Sequence, residues 1–190
     1  LAKIRLRYKL CEHSGFICVM GKKEMYTIIS GTNRNDSNTL KVAQYYQQLL
    51  KKKGISANLI SLHGMNVLER NPSFAKIEQD ELIPAGKFIF ISPEYNGSFP
   101  GVLKAMFDIS DIKKTWWGKK ALLTGVSTGR AGNLRGMEDL TGILHFMKVV
   151  VHPNKLPISV VDKLMDESGS LHDAATVTAI RTQVNEFVEF

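Results

Sequence analysis

The sequence predicts an α/β fold in three layers, a five-stranded parallel sheet with helices on both faces. Apolar runs of strand length alternate with amphipathic runs of helical length from Met25 to the end of the chain. Several strand-like runs, Lys87-Phe-Ile-Phe-Ile-Ser92 above all, are apolar almost throughout, as strands buried on both faces must be. No linker or internal repeat interrupts the alternation, and 190 residues suit one domain.

The elements follow in order. Met25–Ser30 reads as a buried strand and Gly31–Ser37 as a polar loop. Leu40, Val42, Ala43, Tyr46, Leu49 and Leu50 recur at helical spacing, with Ser37 or Asn38 to cap the start and Gly54 to stop the helix after Lys51–Lys53. Ala57–Leu62 is the second strand. Residues 63–84 carry no clear period beyond a short helical stretch at Phe74–Ile83. After the strand at 87–92, Pro100 opens a helix with Val102, Leu103, Met106 and Phe107 on one face. Lys120–Val126 is the fourth strand, Leu134–Met147 a helix and Lys148–His152 the fifth strand. Ser170 with Asp173 resembles a capping box ahead of a last helix carrying Val177, Ile180, Val184, Phe187 and Val188.

Composition excludes several classes. At 44% hydrophobic the chain is no disordered segment, and no stretch approaches the roughly 18–20 apolar residues of a membrane span. Cys11 and Cys18 are the only cysteines, too few for a disulfide framework and without the third and fourth ligands of a metal site, so a reducing cytoplasm is expected. The net charge of +7 is unevenly placed: six basic residues against Glu12 and Glu24 give residues 1–24 a net +4, leaving +3 for the rest. A nucleic-acid protein concentrates its charge on a folded face with interleaved aromatics, which is not the pattern here. Residues 1–24 show no sustained period and read as an arm or leader outside the domain of residues 25–190. The alternative is an extension that packs on a partner.

In an open parallel sheet, ligands sit beyond the carboxyl ends of the strands. Three loops of unusual composition leave such ends. The first, Ser30-Gly-Thr-Asn-Arg-Asn-Asp-Ser-Asn-Thr39, gathers hydroxyls, amides and Arg34 at a helix N-terminus, which suits an anion. It has neither the Gly-Lys-Ser/Thr of a P-loop nor Gly-x-Gly-x-x-Gly. Spacing alone leaves open an ordinary polar loop whose Ser37 or Asn38 merely caps the helix. The second, Pro93–Phe99, holds Glu94, Tyr95 and an Asn96-Gly97 pair that favours a tight turn with positive φ. These suit a planar, hydrogen-bonding ring, or equally a connecting turn with Tyr95 packed at the sheet edge. The third, Ser127-Thr-Gly-Arg-Ala-Gly132, is flexible and donor-rich, and Arg130 is exposed or meets an anionic second substrate. No Gly-x-Ser-x-Gly supports a serine nucleophile, and the histidines from His63 onward occur singly. Trp116-Trp117 reads as packing or a subunit contact.

The motifs Gly31-Thr-Asn-Arg34-x-x-Ser37-Asn-Thr39 and Pro93-Glu-Tyr-Asn-Gly-Ser-Phe-Pro-Gly-Val-Leu-Lys104, with Asp108 shortly after, carry a resemblance. From about Met25 to its end the chain resembles the NADPH-dependent FMN reductase family, flavodoxin-like proteins that include azo-dye, quinone and chromate reductases. The resemblance implies strand order 2-1-3-4-5, one FMN per subunit, NAD(P)H as co-substrate and a homodimer or homotetramer. It implies that Thr32, Arg34, Ser37, Asn38 and Thr39 hold the flavin phosphate. Pro93, Glu94, Tyr95, Asn96 and Gly97 then border the isoalloxazine, and Ser127, Thr128 and Gly129 complete the pocket. The third loop lacks the fuller Gly-Gly run of the family and segment 63–73 departs from its usual loop, so the acceptor is open among quinones, azo compounds, metal oxyanions and flavins. Hydride from a nicotinamide to the flavin, then reduction of an acceptor in the vacated space, is ping-pong turnover that needs no side-chain nucleophile. The rival is a flavodoxin-type electron carrier reduced by a protein partner, which is usually strongly acidic, unlike this domain. A phosphoacceptor receiver would need acidic residues at strand tips that here read Ile29-Ser30-Gly31 and Ser92-Pro93.

Overall fold

The structure, a computed structural model, describes residues 24–190. The reading of residues 1–24 as an arm or leader, with its two cysteines, therefore falls outside the described residues apart from Glu24. Strands β1 (Tyr26–Ser30), β2 (Ala57–Ser61), β3 (Lys87–Pro93) and β4 (Lys120–Val126) pair in parallel in the order β2-β1-β3-β4. The fifth position is filled twice. Strand β5 (Val150–Val151) pairs with Lys120–Ala121, and β6 (Leu156–Ile158) pairs with Thr124–Val126 further along the same edge of β4.

That split corrects the single strand expected at Lys148–His152. Lys148 has φ 58° and takes the left-handed position that ends the preceding helix, its N–H bonded to His145 O and that of Val149 to Leu144 O. The strand can begin only after it. Pro153 has no N–H to give the ladder, so the chain leaves the sheet at His152 and returns at Leu156.

Among the described residues six α-helices flank the sheet, five between strands and one after the last: α1 (Asn38–Lys52), α2 (Pro72–Ile77), α3 (Gly101–Ile109), α4 (Ile112–Thr115), α5 (Leu134–Phe146) and α6 (Ala174–Glu189). Helix α2 starts at an Asn71 cap and runs on through a wider π turn at Glu78–Leu82, earlier than the expected Phe74. Asp173 caps α6 by accepting from Thr176 N, whereas Ser170 bonds back to Asp166 and Ser168, so the expected capping box is absent. Helix α4 had no signal in the apolar spacing.

Alternation along the strands builds two cores. Ile29, Phe88, Phe90 and Leu123 face α3 and α5, meeting Leu103, Phe107, Met137 and Leu140. Ile28, Ile89, Ile91 and Leu122 face α1 and α6, meeting Val42, Tyr46, Ile180 and Phe187. Each such fully buried side chain contributes about 1.5–3 kcal/mol. Trp116 belongs to the first core, 4.8 Å from the Phe88 ring and with its Nε1–H on Ser110 Oγ. The second core holds a polar knot in which the Tyr46 hydroxyl meets Thr124 Oγ1 at 2.8 Å and Gln183 Oε1 at 2.6 Å. It fixes α1 and α6 against β4. Burial pushes the Tyr46 hydroxyl's pKa well up, so it stays a neutral donor. Among the described residues no helix is long and apolar enough to cross a membrane.

Candidate active site

Strands β1, β3 and β4 end side by side, and the three loops leaving them surround a cavity of about 310 Å³. Arg34, Ser37, Asn38 and Thr39 line it from the first loop, Pro93, Glu94 and Tyr95 from the second, and Ser127 and Thr128 from the third. The remaining residues expected here stand behind or beside this wall. Thr32 is buried beneath it, Asn96 and Gly97 form the turn beyond Tyr95, and Gly129 is exposed outside the lining.

The first loop is shaped by its own side chains. Ser37 caps α1, its Oγ accepting from Leu40 N at 3.1 Å. Asn38 and Thr39, the first two residues of the helix, then present N–H groups with no carbonyl one turn back. Thr32 Oγ1 accepts from Arg34 N and meets the Tyr95 hydroxyl at 2.5 Å. The Arg34 guanidinium lies over the Tyr95 ring, 4.2 Å from its centroid. Asp36 is the one carboxylate of this loop, largely exposed and paired with Lys41 at 3.7 Å. Ser37 caps the helix, and the same loop places Arg34, Asn38 and Thr39 on the cavity wall.

The second loop is a two-residue hairpin. Tyr95 and Ser98 exchange backbone hydrogen bonds around Asn96 and Gly97, whose φ angles are 52° and 80°. Glu94 has a structural partner: its Oε2 accepts from Asn133 N at 3.2 Å, at the start of α5. A carboxylate there is favoured by the helix dipole.

The third loop is held more firmly than its glycines suggest. Ser127 Oγ donates to Gly129 O and accepts from Gly132 N. Val160 N and Val161 N close onto Gly129 O and Ser127 O, and Ser159 Oγ onto Arg130 O. Arg130 is exposed and outside the cavity lining.

Asn35, Asp36 and Val126 also line the cavity without having been singled out, and two further residues, Val161 and Asn133, lie outside the three loops altogether. Val161 completes the cavity wall, delivered by a segment that returns to the sheet only because the fifth strand is split. Asn133, fully buried, gives its amide to Ser92 and Pro93 across about forty residues of chain. An asparagine just before a helix is a visible signal, but its distant partners are not. Other hollows lie apart. One of about 610 Å³ sits at the carboxyl end of β2 among Ser61, Met65, Asn71 and Phe74, with His63 Nδ1 3.0 Å from Asn33 O. Another of about 560 Å³ lies at the opposite end of β2, away from all three loops.

A family model described as NADPH-dependent FMN reductase matches residues 26–161, a span that contains all three loops. The chain belongs to that family. It is 22% identical over 169 residues to a 2-hydroxy-1,4-benzoquinone reductase of a Burkholderia species, covering 84% of this chain and 92% of the relative. It is 29% identical over 167 residues to an NAD(P)H-dependent FMN reductase of Pseudomonas aeruginosa, covering 82% and 89%. Its fold superposes on FerB, a flavoenzyme NAD(P)H:(acceptor) oxidoreductase of Paracoccus denitrificans, with a TM-score of 0.70, 22% identity and coverage of 88% and 96%. The chain is accordingly an oxidoreductase of flavodoxin-like fold, from a family that works with FMN and NAD(P)H.

The donor set fits that cofactor. One end of the cavity offers the α1 N–H groups, the hydroxyls of Ser37 and Thr39 and the charge of Arg34, as a phosphate requires. The other end is edged by Tyr95, Pro93 and the backbone of a tight turn, as a planar ring with polar edges requires. Among the described residues no group of three or more His, Cys, Asp or Glu is placed to hold a metal.

Proposed function

We propose that this chain is an NAD(P)H-dependent FMN oxidoreductase that reduces a small quinone-class acceptor by ping-pong turnover. The observation that carries the reading is the meeting of three motif loops around one cavity, with the donor-rich start of α1 on one wall and Pro93 and Tyr95 on another. The name of the Burkholderia relative favours quinones over azo compounds, metal oxyanions or free flavin.

Bound FMN would supply the hydride-accepting and electron-donating chemistry, which no side chain of this cavity provides. The chain's own residues bind and orient. Arg34, Ser37, Asn38 and Thr39 hold the phosphate, with Thr32 keeping Tyr95 in place from below. Pro93, Glu94, Tyr95, Asn96 and Gly97 border the ring, and Ser127, Thr128 and Gly129 close the opposite side. Nicotinamide and acceptor enter the same space in turn, so the first must leave before the second binds. The reading includes a cytoplasmic location and a homo-oligomer. The latter is supported by Phe146, 81% exposed beside the groove that Phe107, Ile143 and Met147 line between α3 and α5.

The deciding experiment is anaerobic addition of NADPH, and separately NADH, to the FMN-loaded protein while the flavin's visible absorbance is followed. Bleaching well above the rate for free FMN is expected. A bound flavin that stays yellow with both nicotinamides would make the chain an electron carrier instead. Failure to take up FMN would end the phosphate-loop assignment.

A further inference from the structure

Asn133 stands at the start of α5 in the left-handed conformation, φ 63° and ψ 32°, which asparagine tolerates better than most residues. Its side chain caps nothing in that helix. Instead Nδ2 lies 3.0 Å from Ser92 O, 3.0 Å from Pro93 O and 3.2 Å from Ser92 Oγ, so both amide hydrogens go to the carboxyl end of β3. The reversed amide would set an oxygen against two carbonyls, so only this orientation is chemically sound. As placed, Oδ1 is buried with no partner among the described residues and sits over Gly136, where a Cβ would come within 2.1 Å of it. A buried acceptor left unpaired costs free energy that a helix-capping role would have avoided. The residue is therefore arranged for β3 and not for its own helix.

The place it grips is the root of the second loop. The cavity wall begins at Pro93, whose carbonyl Asn133 holds, and the chain keeps one further bond to the sheet, Glu94 N to Val126 O. The backbone N–H of Asn133 holds the Glu94 carboxylate. Its neighbour Gly132 is tied to Ser127 of the third loop. Asn133 thus holds the second loop by its own bonds and adjoins the third as the residue that follows Gly132, the end of that loop.

We propose that Asn133 is a positioning residue that sets the spacing between the two loops bordering the flavin ring. The proposal rests on the flavin-binding reading above. It acts on the ring end of the cavity and leaves the phosphate end alone, which separates it from Arg34.

The test is Asn133→Gly, which keeps the left-handed backbone accessible and removes the amide. FMN and riboflavin affinities, the visible circular dichroism of bound FMN and thermal melting are measured for parent, Asn133→Gly and Arg34→Ala. Asn133→Gly should weaken FMN and riboflavin alike, by about tenfold, and alter the visible dichroism while still melting cooperatively. Arg34→Ala should weaken FMN more than riboflavin, because only FMN carries a phosphate, while loss of the stack on Tyr95 touches both alike. Unchanged affinity for both flavins with unchanged dichroism in Asn133→Gly overturns the proposal. So does loss of cooperative melting, which makes the residue a determinant of the fold and not of the site. A parent protein that takes up neither flavin overturns the flavin reading itself, a result distinct from either.

Discussion

The guanidinium of Arg34 stacks on the ring of Tyr95, 4.2 Å from centre to carbon, and the hydroxyl of that tyrosine closes on Thr32 two residues before the arginine. Two loops that leave different strands are joined by this pair at the mouth of the cavity. Arg34 is exposed and Tyr95 half-buried, so the stack contributes only about 0.5–1 kcal/mol to the fold. A guanidinium on a phosphate is worth more, about 1.5–3 kcal/mol through charge-assisted hydrogen bonds.

Arg34→Ala is therefore expected to melt within a few degrees of the parent and to bind FMN about 10- to 100-fold more weakly. Titration by quenching of flavin fluorescence measures the loss. Saturating FMN should restore the rate of bleaching by NADPH. A variant that binds FMN normally but bleaches slowly would remove Arg34 from the phosphate end and give it a part in the chemistry.

Two glycines of the β4 region make opposite predictions. At Gly125 a Cβ would lie 2.0 Å from Gly132 O and 3.0 Å from the Asn133 side chain, both held in place by tertiary bonds. Gly125→Ala must displace backbone and should cost about 3 kcal/mol or more, read as a large fall in Tm or loss of soluble protein. At Gly129 a Cβ meets nothing within 4 Å, and no positive φ demands a glycine. Gly129→Ala should melt with the parent. If this loop closes over the flavin, the same variant binds FMN several-fold more weakly, and full retention of FMN would take Gly129 out of the pocket.

Legibility in the sequence follows the range of the interactions. Ser37 capping α1 and the Asn96-Gly97 turn depend on contacts a few residues apart, so the loops that shape the cavity could be read from their own composition. The sheet order came from a resemblance carried by those loops, and the pairing agrees with it from β2 to β5. What lay beyond reach was non-local. Neither Glu94's bond to Asn133 nor the delivery of Val161 to the wall has a short-range signature. The fifth strand lies within the expected run but is shorter, because Lys148 has the left-handed backbone that ends α5, and the return of the chain at β6 had no local signal.

Val160 illustrates a local cost tied to the site. A β-branched residue at φ 46° is strained by about 1–3 kcal/mol, yet its N–H bonds Gly129 O and the next one bonds Ser127 O. Asparagine accepts that backbone more readily. Val160→Asn is expected to gain about 1 kcal/mol, a rise in Tm of roughly 2–4 °C in calorimetry, with flavin affinity unchanged because Val161 stays in place. A fall in Tm would mean that packing of the valine side chain outweighs the relief of strain.

The last prediction concerns acid. Glu78 is buried at the π turn after α2, where its Oε1 accepts from Asp111 N at 2.5 Å and from the Thr115 hydroxyl at 2.9 Å, and its Oε2 from Arg70. Burial alone would raise its pKa. The Arg70 guanidinium, the Asp111 N–H and the Thr115 hydroxyl outweigh it and hold the carboxyl below its ordinary 4.5. A carboxyl depressed in the folded state binds fewer protons there than in the unfolded chain. Its contribution to stability is thus complete above the unfolded value and is lost as pH falls through the folded one. Half of Arg70 is exposed, so solvent screens its pairing with Glu78, and the Asp111 N–H and Thr115 hydroxyl add to what that screened pair supplies. Glu78→Gln should cost about 2 kcal/mol at pH 7, read as a Tm lower by roughly 4–8 °C. Below pH 5 the gap between parent and variant should narrow, because the parent then gives up what the variant already lacks. Some acid dependence should survive in Glu78→Gln, since Asp111, Asp166 and Asp173 are also depressed, by the Lys114, Ser168 and Thr176 groups they accept from. A gap that stays constant from pH 7 to pH 3 would show that the Glu78 carboxylate is not the charged group this network is built around.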